Sequence, residues 1–368
     1  MRVAFYAPLK PPDHPIPSGD RRVAQLLFTA LQLAGHDVFL ASRFRSYEGR
    51  GDPVRQTRLA LIGARLADRF LARYGEMSEM APELWFTYHL YHKAPDWLGP
   101  PIVERLNIPY VVAEASDAPK QGLGAWAAGH AAAQRAIQRA DAVIGLNPAD
   151  RDRILPLLRD PLRWIAVKPF LDTASFGRRA PPRSGPPRLI TVAMMRYGDK
   201  LASYRILGKA LPDLLDLPWS LEIIGDGSAR REVEAALGGL DRRVTWLGAV
   251  EPDGIHRRLA SADLFVWPAV NEAFGMALLE AQATGLPVVA SSFGGVGEVV
   301  VSGVTGLLVP PFDVPAFAEA VRSLIIDPVK RRALGEAALR RVRAEHGLTA
   351  AAHRLTASID TIQRARRP

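Results

Sequence analysis

Residues 263–311 read DLFVWPAVNEAFGMALLEAQATGLPVVASSFGGVGEVVVSGVTGLLVPP. The order of residue types predicts a strand, a loop, a helix, a second strand and a Gly-rich loop. Glu272 falls in the loop, residues 274–277 make the predicted first helical turn, and Glu280 lies further along the helix. This alternation is typical of a parallel α/β sheet.

The loop-to-helix junction of this stretch carries residue types that suit phosphate and sugar ligands. A helix start has N–H groups without a partner in the helix and a partial positive charge, and both attract phosphate or sugar oxygens. Gly275 has no Cβ to keep a ligand from the backbone. Carboxylates on either side of such a junction, here Glu272 and Glu280, can accept hydrogen bonds from hydroxyl groups.

The same alternation extends over the rest of the chain in two blocks. The first block has strand candidates at 2–7, 37–41, 84–88, 110–113, 142–146 and 164–167, and the second at 189–193, 221–224, 244–247, 264–267, 287–290 and 306–309. Residues 172–188 are rich in Pro and Arg without periodicity, which predicts a linker. We therefore expect an α/β protein with two doubly wound domains, 1–171 and 189–346, that face each other across a ligand-binding cleft. Residues 347–368 are expected to form a helix that crosses back to the first domain.

Composition excludes several classes of protein. The chain has 368 residues, 48% of them hydrophobic and 23% charged, which is ordinary for a globular protein. It has no Cys, so disulfide scaffolds, zinc fingers and cysteine nucleophiles are excluded. The net charge of +9 is spread over both halves, which favours anionic ligands or an anionic membrane surface over a nucleic-acid partner. No apolar run is long enough for a spanning helix, so we expect a cytoplasmic protein.

Several motifs resemble one enzyme family in their order and spacing. They are Glu272-x7-Glu280 with Phe274-Gly275, then residues 285–290, Gly294-Gly295, Glu298 and residues 305–309, preceded by residues 223–227, 243–248 and 261–268. Together they resemble the retaining family-4 glycosyltransferases (glycosyl transferases group 1), which have the GT-B fold of two Rossmann-like domains. The first half is similar through residues 17–22 and 140–144. The resemblance implies transfer of a sugar from a nucleotide sugar, UDP- or GDP-linked, with no metal ion or other cofactor.

The resemblance also implies roles for individual residues. Glu280 would hold the ribose of the donor, Glu272 the donor sugar, and the backbone amides of Phe274, Gly275, Met276 and Ala277 the sugar and phosphate. Gly225 matches the strand-to-loop turn of the donor site, and Val250 lies near the nucleobase by analogy. Gly19 matches a glycine loop that approaches the diphosphate or the acceptor; the alternative is that it only ends a turn before a helix.

The family offers an Arg and a Lys to neutralise the diphosphate. Arg196 and Lys200 are the candidates here, with Arg205 as a substitute; their spacing is one residue shorter than usual, and Met194 takes the usual Arg position. The family also places a His after the strand at 110–113, where this chain has none. Glu114, Ser116 or Asp117 could take that polar role, or His89 or His92 from the neighbouring strand could point to the site.

The sequence leaves the acceptor open. Arg55, Arg58, Arg65, Arg69 and Arg73 recur at helical spacing beside Leu59, Ile62, Leu66 and Phe70. This pattern suits a plain surface helix or a patch for anionic lipid. The second case favours a glycan or lipid-linked acceptor in envelope or exopolysaccharide synthesis, with the enzyme on the inner membrane face. The alternatives are a small soluble acceptor, a non-catalytic nucleotide-sugar binder, or an epimerase.

Overall fold

The computed structural model describes residues 1–16, 18–74, 79–177, 185–240, 242–273 and 275–366. The chain divides into two compact units. The first comprises Met1–Val167 with Leu348–Pro368, and the second comprises Lys168–Gly347. Residues 172–188 therefore fall within the bounds of the second unit, and residues 178–184 of the expected linker lie outside the described residues.

The first unit holds a parallel sheet of six strands in the order β2-β1-β3-β4-β5-β6. Its strands are β1 (Arg2–Tyr6), β2 (Asp37–Ser42), β3 (Leu84–Leu90), β4 (Tyr110–Ala115), β5 (Ala142–Gly145) and β6 (Trp164–Ala166). The helices between them are α1 (Gly19–Leu33), α2 (Pro53–Tyr74), α3 (Gly99–Leu106), α4 (Ala127–Arg139) and α5 (Arg151–Ile154).

The second unit repeats this plan with the order β12-β11-β10-β7-β8-β9. The strands are β7 (Arg188–Val192), β8 (Ser220–Ile224), β9 (Val244–Gly248), β10 (Leu264–Trp267), β11 (Val288–Ser291) and β12 (Gly306–Val309). The helices are α6 (Asp199–Ala210), α7 (Arg230–Ala236), α8 (Pro252–Ser261), α9 (Met276–Ala283), α10 (Val296–Val299), α11 (Val314–Ile326) and α12 (Pro328–Glu345). The last helix of the chain, α13 (Leu348–Arg366), belongs to the first unit and packs on α1.

The predicted fold class is confirmed, and each predicted strand agrees with the structure to within two residues at either end. The agreement has a physical cause. Strands covered by helices on both faces are buried throughout, so they read as short continuous apolar runs such as β5 and β10, whose residues are all buried. No helix in the described part of the chain is both long and apolar enough to cross a bilayer.

Both sheets have a point at which the strand order reverses. In the first, β1 is followed by β2 on one side and by β3 on the other. In the second, β7 is followed by β8 and β9 on one side and by β10 on the other. Ligands of open parallel sheets bind beyond the carboxyl ends of the strands at such a point. Each unit thus has its own expected ligand edge, between β1 and β3 and between β7 and β10.

Candidate functional site

The reversal point of the second sheet carries an ion pair between two of the predicted catalytic residues. Lys200 lies in the first turn of α6, which follows β7, and Glu272 lies in the loop after β10. Lys200 Nζ is 2.5 Å from Glu272 Oε2, and both side chains are partly exposed, by 29% and 22%. The ammonium also lies 5.6 Å from the centre of the Trp267 ring. The protein therefore holds the pair in place, and the exposed part of both side chains remains accessible to a ligand.

The loop that carries Glu272 is held in a strained, specific shape. Ala269 and Asn271 both have positive φ, at 58° and 49°, which is uncommon for residues other than glycine. Two hydrogen bonds hold this loop on α6: Val270 N–H donates to Ser203 Oγ, and Asn271 Nδ2 donates to Asp199 Oδ1. Backbone strain that the surroundings over-determine concentrates at functional sites.

A glycine allows the following loop to approach this one. Gly294 lies after β11 with a φ of +46°, and a Cβ there would come 2.6 Å from the carbonyl oxygen of Glu272. Any other residue would push the Glu272 backbone away. The Gly-rich loop predicted from sequence thus has a packing role beside the site.

Helix α9 starts two residues later than predicted. Gly275 precedes it as the N-cap in a left-handed conformation, with a φ of 67°, so the first helical residue is Met276. No side chain caps this end, so the first N–H groups of the helix are not satisfied by a cap. Met276, Ala277 and Glu280 are partly exposed. Phe274 lies outside the described residues.

Gly225 occupies the turn after β8 that was predicted from sequence. Its φ is +150°, and a Cβ there would lie 1.9 Å from the Ala193 carbonyl oxygen, so no other residue fits. The N–H group of Gly225 donates to the Gly248 carbonyl oxygen at the end of β9, two residues before the partly exposed Val250. Gly225 and the loop of Val250 are therefore neighbours at the carboxyl edge of the second sheet.

The two predicted diphosphate ligands differ in their surroundings. Arg196 is exposed in the loop before α6, and its side chain has no hydrogen bond or ion pair with any described residue. Met194, at the position where the resemblance implies an Arg, is 43% exposed. Arg205 is exposed on α6 and lies within electrostatic range of Glu232 on α7. Of the cations proposed from sequence, Lys200 has the most defined position.

The remaining predicted ligand residue, Gly19, belongs to the first unit. It is the first residue of α1, whose N-cap Ser18 accepts a hydrogen bond from Arg21 N–H. A Cβ at Gly19 would meet nothing within 4 Å, so packing within the chain does not require glycine here. The structure brings Lys200, Glu272, Gly275 and Gly225 to one sheet edge, and Gly19 is on the other sheet.

The alternatives for the missing His fall into two groups. His89 lies in β3, and its Nδ1 is 3.0 Å from Asp20 Oδ1 in the first turn of α1. Asp117, by contrast, is buried against His130 Nε2 at 3.0 Å and accepts from Gln134 Nε2, so both its partners are internal. His92 packs edge-on against the Trp126 ring. Asp117 therefore has a structural environment, whereas His89 and Asp20 lie at the reversal point of the first sheet.

Electrostatics set the group around His89 apart. Burial raises the pKa of Glu114 to about 7, and the opposing charge of His89 only partly offsets it. Burial alone would lower the pKa of His89, but Asp20 and Glu114 outweigh it and raise the pKa. The interaction with His89 lowers the pKa of Asp20. Sequence reasoning named Glu114 and His89 but missed Asp20, because nothing in the motif around Gly19 indicates its partner. In the parts of the chain that are described, no three His, Asp or Glu side chains are grouped as metal ligands.

Comparisons with known proteins agree with these motifs. Residues 186–327 match the family model Glycosyl transferases group 1. The chain is 32% identical over 236 residues to the alpha-D-kanosaminyltransferase of Streptomyces kanamyceticus, covering 61% of each chain. It is 33% identical over 227 residues to the D-inositol 3-phosphate glycosyltransferase of Mycobacterium sp. strain KMS, covering 59% of this chain and 50% of the relative. The chain spans about half to three fifths of the length of the curated relatives it matches.

Solved structures resemble the chain over nearly its whole length. Sucrose-phosphate synthase from Thermosynechococcus elongatus has a TM-score of 0.73 at 19% identity, covering 99% of this chain and 100% of the other. HepE of Anabaena, solved with UDP, has a TM-score of 0.73 at 16% identity, covering 98% and 100%. A lipopolysaccharide outer core galactosyltransferase, WaaB, has a TM-score of 0.70 at 15% identity, covering 98% and 99%. These likenesses concern the fold. The family match therefore concerns residues 186–327, and the solved structures show the fold of the chain.

Proposed function

We propose that the protein is a retaining glycosyltransferase that moves a sugar from a UDP- or GDP-linked donor to a hydroxyl group of a glycan or lipid-linked acceptor, without a metal ion. The observation that carries this proposal is the Lys200–Glu272 pair at the reversal point of the second sheet, beside the uncapped start of α9. A cation and open helix N–H groups can bind the phosphates of a sugar diphosphate. A carboxylate can accept hydrogen bonds from its hydroxyl groups.

Each group has a role in the transfer. The bond that breaks joins the anomeric carbon to the diphosphate, so negative charge grows on the departing phosphate. Lys200 and the N–H groups that begin α9 stabilise that charge, which is an electrostatic contribution that needs no metal ion. Glu272 accepts hydrogen bonds from the donor sugar and Glu280 from the ribose. Retention follows by resemblance, with a phosphate oxygen of the donor helping to deprotonate the acceptor hydroxyl.

Donor binding tests the proposal directly. Calorimetry against UDP-, GDP-, ADP- and TDP-sugars, with and without EDTA, should give saturable binding of one nucleotide that EDTA does not weaken. Glu280→Ala should lower that affinity because ribose contacts are lost. Glu336→Ala, which removes an exposed carboxylate of α12, should leave it unchanged. Binding that disappears with EDTA, or equal affinity of the two variants, would contradict the assigned site.

Turnover separates an enzyme from a binding protein. The donor that binds should be hydrolysed slowly when no acceptor is present, and the anomeric configuration of the released sugar, read by NMR before mutarotation, should match that of the donor. Binding without any hydrolysis or transfer identifies a non-catalytic binder, and the Met194 side chain in place of the usual Arg is the feature that favours that alternative. Inversion at the anomeric carbon would contradict the retaining mechanism.

The exposed face of α2 supports a lipid-linked acceptor over a small soluble one. Its five arginines Arg55, Arg58, Arg65, Arg69 and Arg73 are exposed, as are the side chains of Val54 and Leu61, by 78% and 58%. Of the apolar residues predicted for the opposite face, Phe70 is buried and Leu59, Ile62 and Leu66 are partly buried. A basic helix face with exposed apolar side chains suits an anionic bilayer surface.

Vesicle sedimentation tests this surface. The protein should bind vesicles of phosphatidylglycerol and phosphatidylcholine but not phosphatidylcholine alone. Replacing Arg58, Arg65 and Arg69 with Glu should abolish binding. Replacing the exposed Arg332, Arg340 and Arg343 of α12 with Glu makes the same change in net charge and should not. Equal loss in both variants, or no binding at all, would favour the small soluble acceptor.

A further inference from the structure

Two phenylalanines stand side by side in the second unit. Phe293 follows β11 and Phe312 follows β12, and we call the two rings the aromatic platform. Their ring centres are 5.0 Å apart and their planes meet at 82°, which is an edge-to-face contact. The Ser292 N–H group donates to the Val309 carbonyl oxygen at 2.9 Å and holds the two loops together. Phe312 is nevertheless 63% exposed, and Phe293 is partly exposed.

The backbone of Phe312 has a conformation that favours glycine. Its φ is 62°, and the Asp313 N–H group donates to the Pro310 carbonyl oxygen at 3.3 Å, which closes a four-residue turn. The ring of Pro311 fixes φ at a negative value, so the positive φ that follows makes this a type II turn. The third position of such a turn normally carries glycine, because other residues are strained there.

Neither the turn nor the packing of the unit requires an aromatic side chain at this position. Glycine would form the same turn without strain. The Phe312 ring recovers little of that cost through burial, since most of it is exposed. The adjoining Pro310 and Pro311 are also exposed, so the apolar surface extends along the turn. Strained residues and exposed apolar surfaces are both typical of places where ligands bind.

The strand order places the aromatic platform beside the proposed sugar site. The strands β7, β10, β11 and β12 are successive neighbours, and the segments after them carry Lys200, Glu272, Phe293 and Phe312 in that order. The loops of Phe293 and Glu272 are in contact, since a Cβ on Gly294 would come 2.6 Å from the Glu272 carbonyl oxygen. A cation, a carboxylate and two aromatic rings therefore follow one another along the carboxyl edge of this sheet.

We infer that the aromatic platform stacks against the apolar face of a sugar ring, which belongs to the donor or to a saccharide acceptor. One face of a pyranose ring presents C–H groups, and its hydroxyl groups project around the rim, where a carboxylate such as Glu272 accepts hydrogen bonds. A nucleobase fits less well, because its proposed contact at Val250 follows β9 at the opposite end of the sheet. The inference rests on the proposed function, which supplies the sugar.

The Phe312→Gly variant separates binding from structural support. It removes the ring and the backbone strain together, so the melting temperature should stay equal or rise while sugar binding weakens. Phe312→Trp keeps an aromatic ring and should retain wild-type binding. Ile326→Ala shortens a side chain that is 61% exposed at the end of α11, and it should change neither property. A fall of more than about 4 °C in Phe312→Gly would show that the ring supports the fold, and it would overturn the inference.

Calorimetry on the full chain identifies the sugar. The probes are UDP, GDP, UDP-glucose and GDP-mannose, followed by maltose and cellobiose added in the presence of UDP or GDP. Phe312→Gly should weaken the binding of a sugar-bearing probe about two- to tenfold and leave the affinity for UDP and GDP unchanged. A loss confined to the nucleotide sugar assigns the platform to the donor, and a loss confined to a disaccharide assigns it to the acceptor.

Saturation-transfer NMR tests the stacking itself. Irradiation of the aromatic protons of the wild type should transfer saturation to C–H protons on one face of the bound sugar, and Phe312→Gly should reduce that transfer. Transfer to no probe, equal affinity of both proteins for every sugar-bearing probe, or equal losses for UDP and UDP-glucose would overturn the inference. If UDP or GDP binds and the Phe312 variants change nothing, only the platform fails. If no nucleotide binds, the proposed function fails, and the disaccharides added alone still test the platform.

Discussion

The carboxyl edges of the two sheets share one plan but differ in how their residues are gathered. In each unit an ion pair bridges the reversal point, Lys200 with Glu272 between β7 and β10, and Asp20 with His89 between β1 and β3. The second edge is built mostly from one continuous stretch, residues 263–311, whose glycines and carboxylates have a fixed spacing. The first edge takes single residues from three separate elements, α1, β3 and β4. A local sequence motif therefore marks the second edge, whereas no such motif marks the first edge.

The edges also differ in charge. Lys200 brings a positive charge to a backbone turn and an uncapped helix start, which together suit an anionic diphosphate. The first edge gathers three carboxyl groups around one histidine, and burial raises the pKa of Glu114 to about 7. The pKa of Glu114 is raised whereas that of Asp20 is lowered, so a neutral Glu114 lies beside the charged pair of Asp20 and His89. The two edges therefore differ in the groups they offer a ligand: an ammonium and backbone N–H groups at the second edge, and carboxyl groups with an imidazole at the first.

The largest effect should come from the cation of the second edge. Lys200→Ala should reduce turnover about 10²–10³-fold, because one preorganised donor to the developing charge is lost. Lys209→Ala, at an exposed position in the last turn of the same helix, should leave the rate unchanged. The measurement is donor consumption at saturating nucleotide sugar. Full activity of Lys200→Ala would remove this residue from the phosphate site and transfer the role to Arg196.

The next largest effect should come from a buried carboxylate of the first unit, Asp96. Asp96 follows β3 and accepts hydrogen bonds from Leu98 and Gly99 N–H at 2.8 and 2.7 Å, and from Thr87 Oγ1 and the Tyr110 hydroxyl at 2.6 and 2.9 Å. Asp96→Ala leaves these buried donors unpaired, so the free energy of unfolding should fall by about 3 kcal/mol.

Urea unfolding followed by tryptophan fluorescence measures that loss. The matched control is Asp313→Ala in the second unit, where a partly exposed carboxylate caps α11 through Ala316 N–H at 2.9 Å. Loss of such a cap costs about 1 kcal/mol. Equal losses of unfolding free energy in the two variants would show that the burial of Asp96 does not increase its stabilising effect.

A smaller effect should follow from adding one methyl group at the second edge. Gly225→Ala places a Cβ against the Ala193 carbonyl oxygen and forces the ends of β7 and β8 apart. We expect a loss of roughly 2 kcal/mol, within the range for strained backbone, together with weaker donor binding. Gly239→Ala, where a Cβ meets nothing within 4 Å, should change stability by less than about 0.5 kcal/mol. Thermal unfolding compares the two variants. Equal melting temperatures would mean that the backbone at Gly225 moves to accommodate the added methyl group.

The smallest effect should be in how stability changes with pH. The contribution of Glu114 should fall as the pH rises, and that of His346 should increase. Glu114 binds its proton more tightly when folded, so its contribution to stability falls as the pH rises from its unfolded pKa of about 4.5 through about 7. The contribution of His346 in the second unit has the opposite pH dependence. Burial, with Arg341 and Lys168 nearby, lowers its pKa to about 4, so its contribution rises with pH from about 4 to its unfolded value of 6.5.

Each slope is at most about 1.4 kcal/mol per pH unit. Unfolding curves at several pH values, compared between wild type, Glu114→Gln and His346→Gln, isolate the two contributions. Glu114→Gln should raise the slope of stability against pH, and His346→Gln should lower it. Slopes that change in the same direction would contradict the assigned environments.

The fold class and the strands of both sheets could be predicted from the sequence, and so could the residues that we propose for the second edge. This is possible because buried parallel strands are continuous apolar runs and because residues 263–311 hold Glu272, Gly275 and Glu280 in one local segment. The sequence did not place the start of α9, since the left-handed N-cap at Gly275 depends on how the preceding loop is held on α6.

The sequence leaves open which residue lies beside His89, and the tertiary structure shows that it is Asp20. Asp20 and His89 are far apart in sequence, and their contact depends on β1 and β3 being neighbours in the sheet. The same holds for Lys200 and Glu272, whose pairing follows from the contact between β7 and β10. Spacing along a chain encodes contacts within one element or loop. Contacts between loops depend on strand order, which the sequence pattern does not specify.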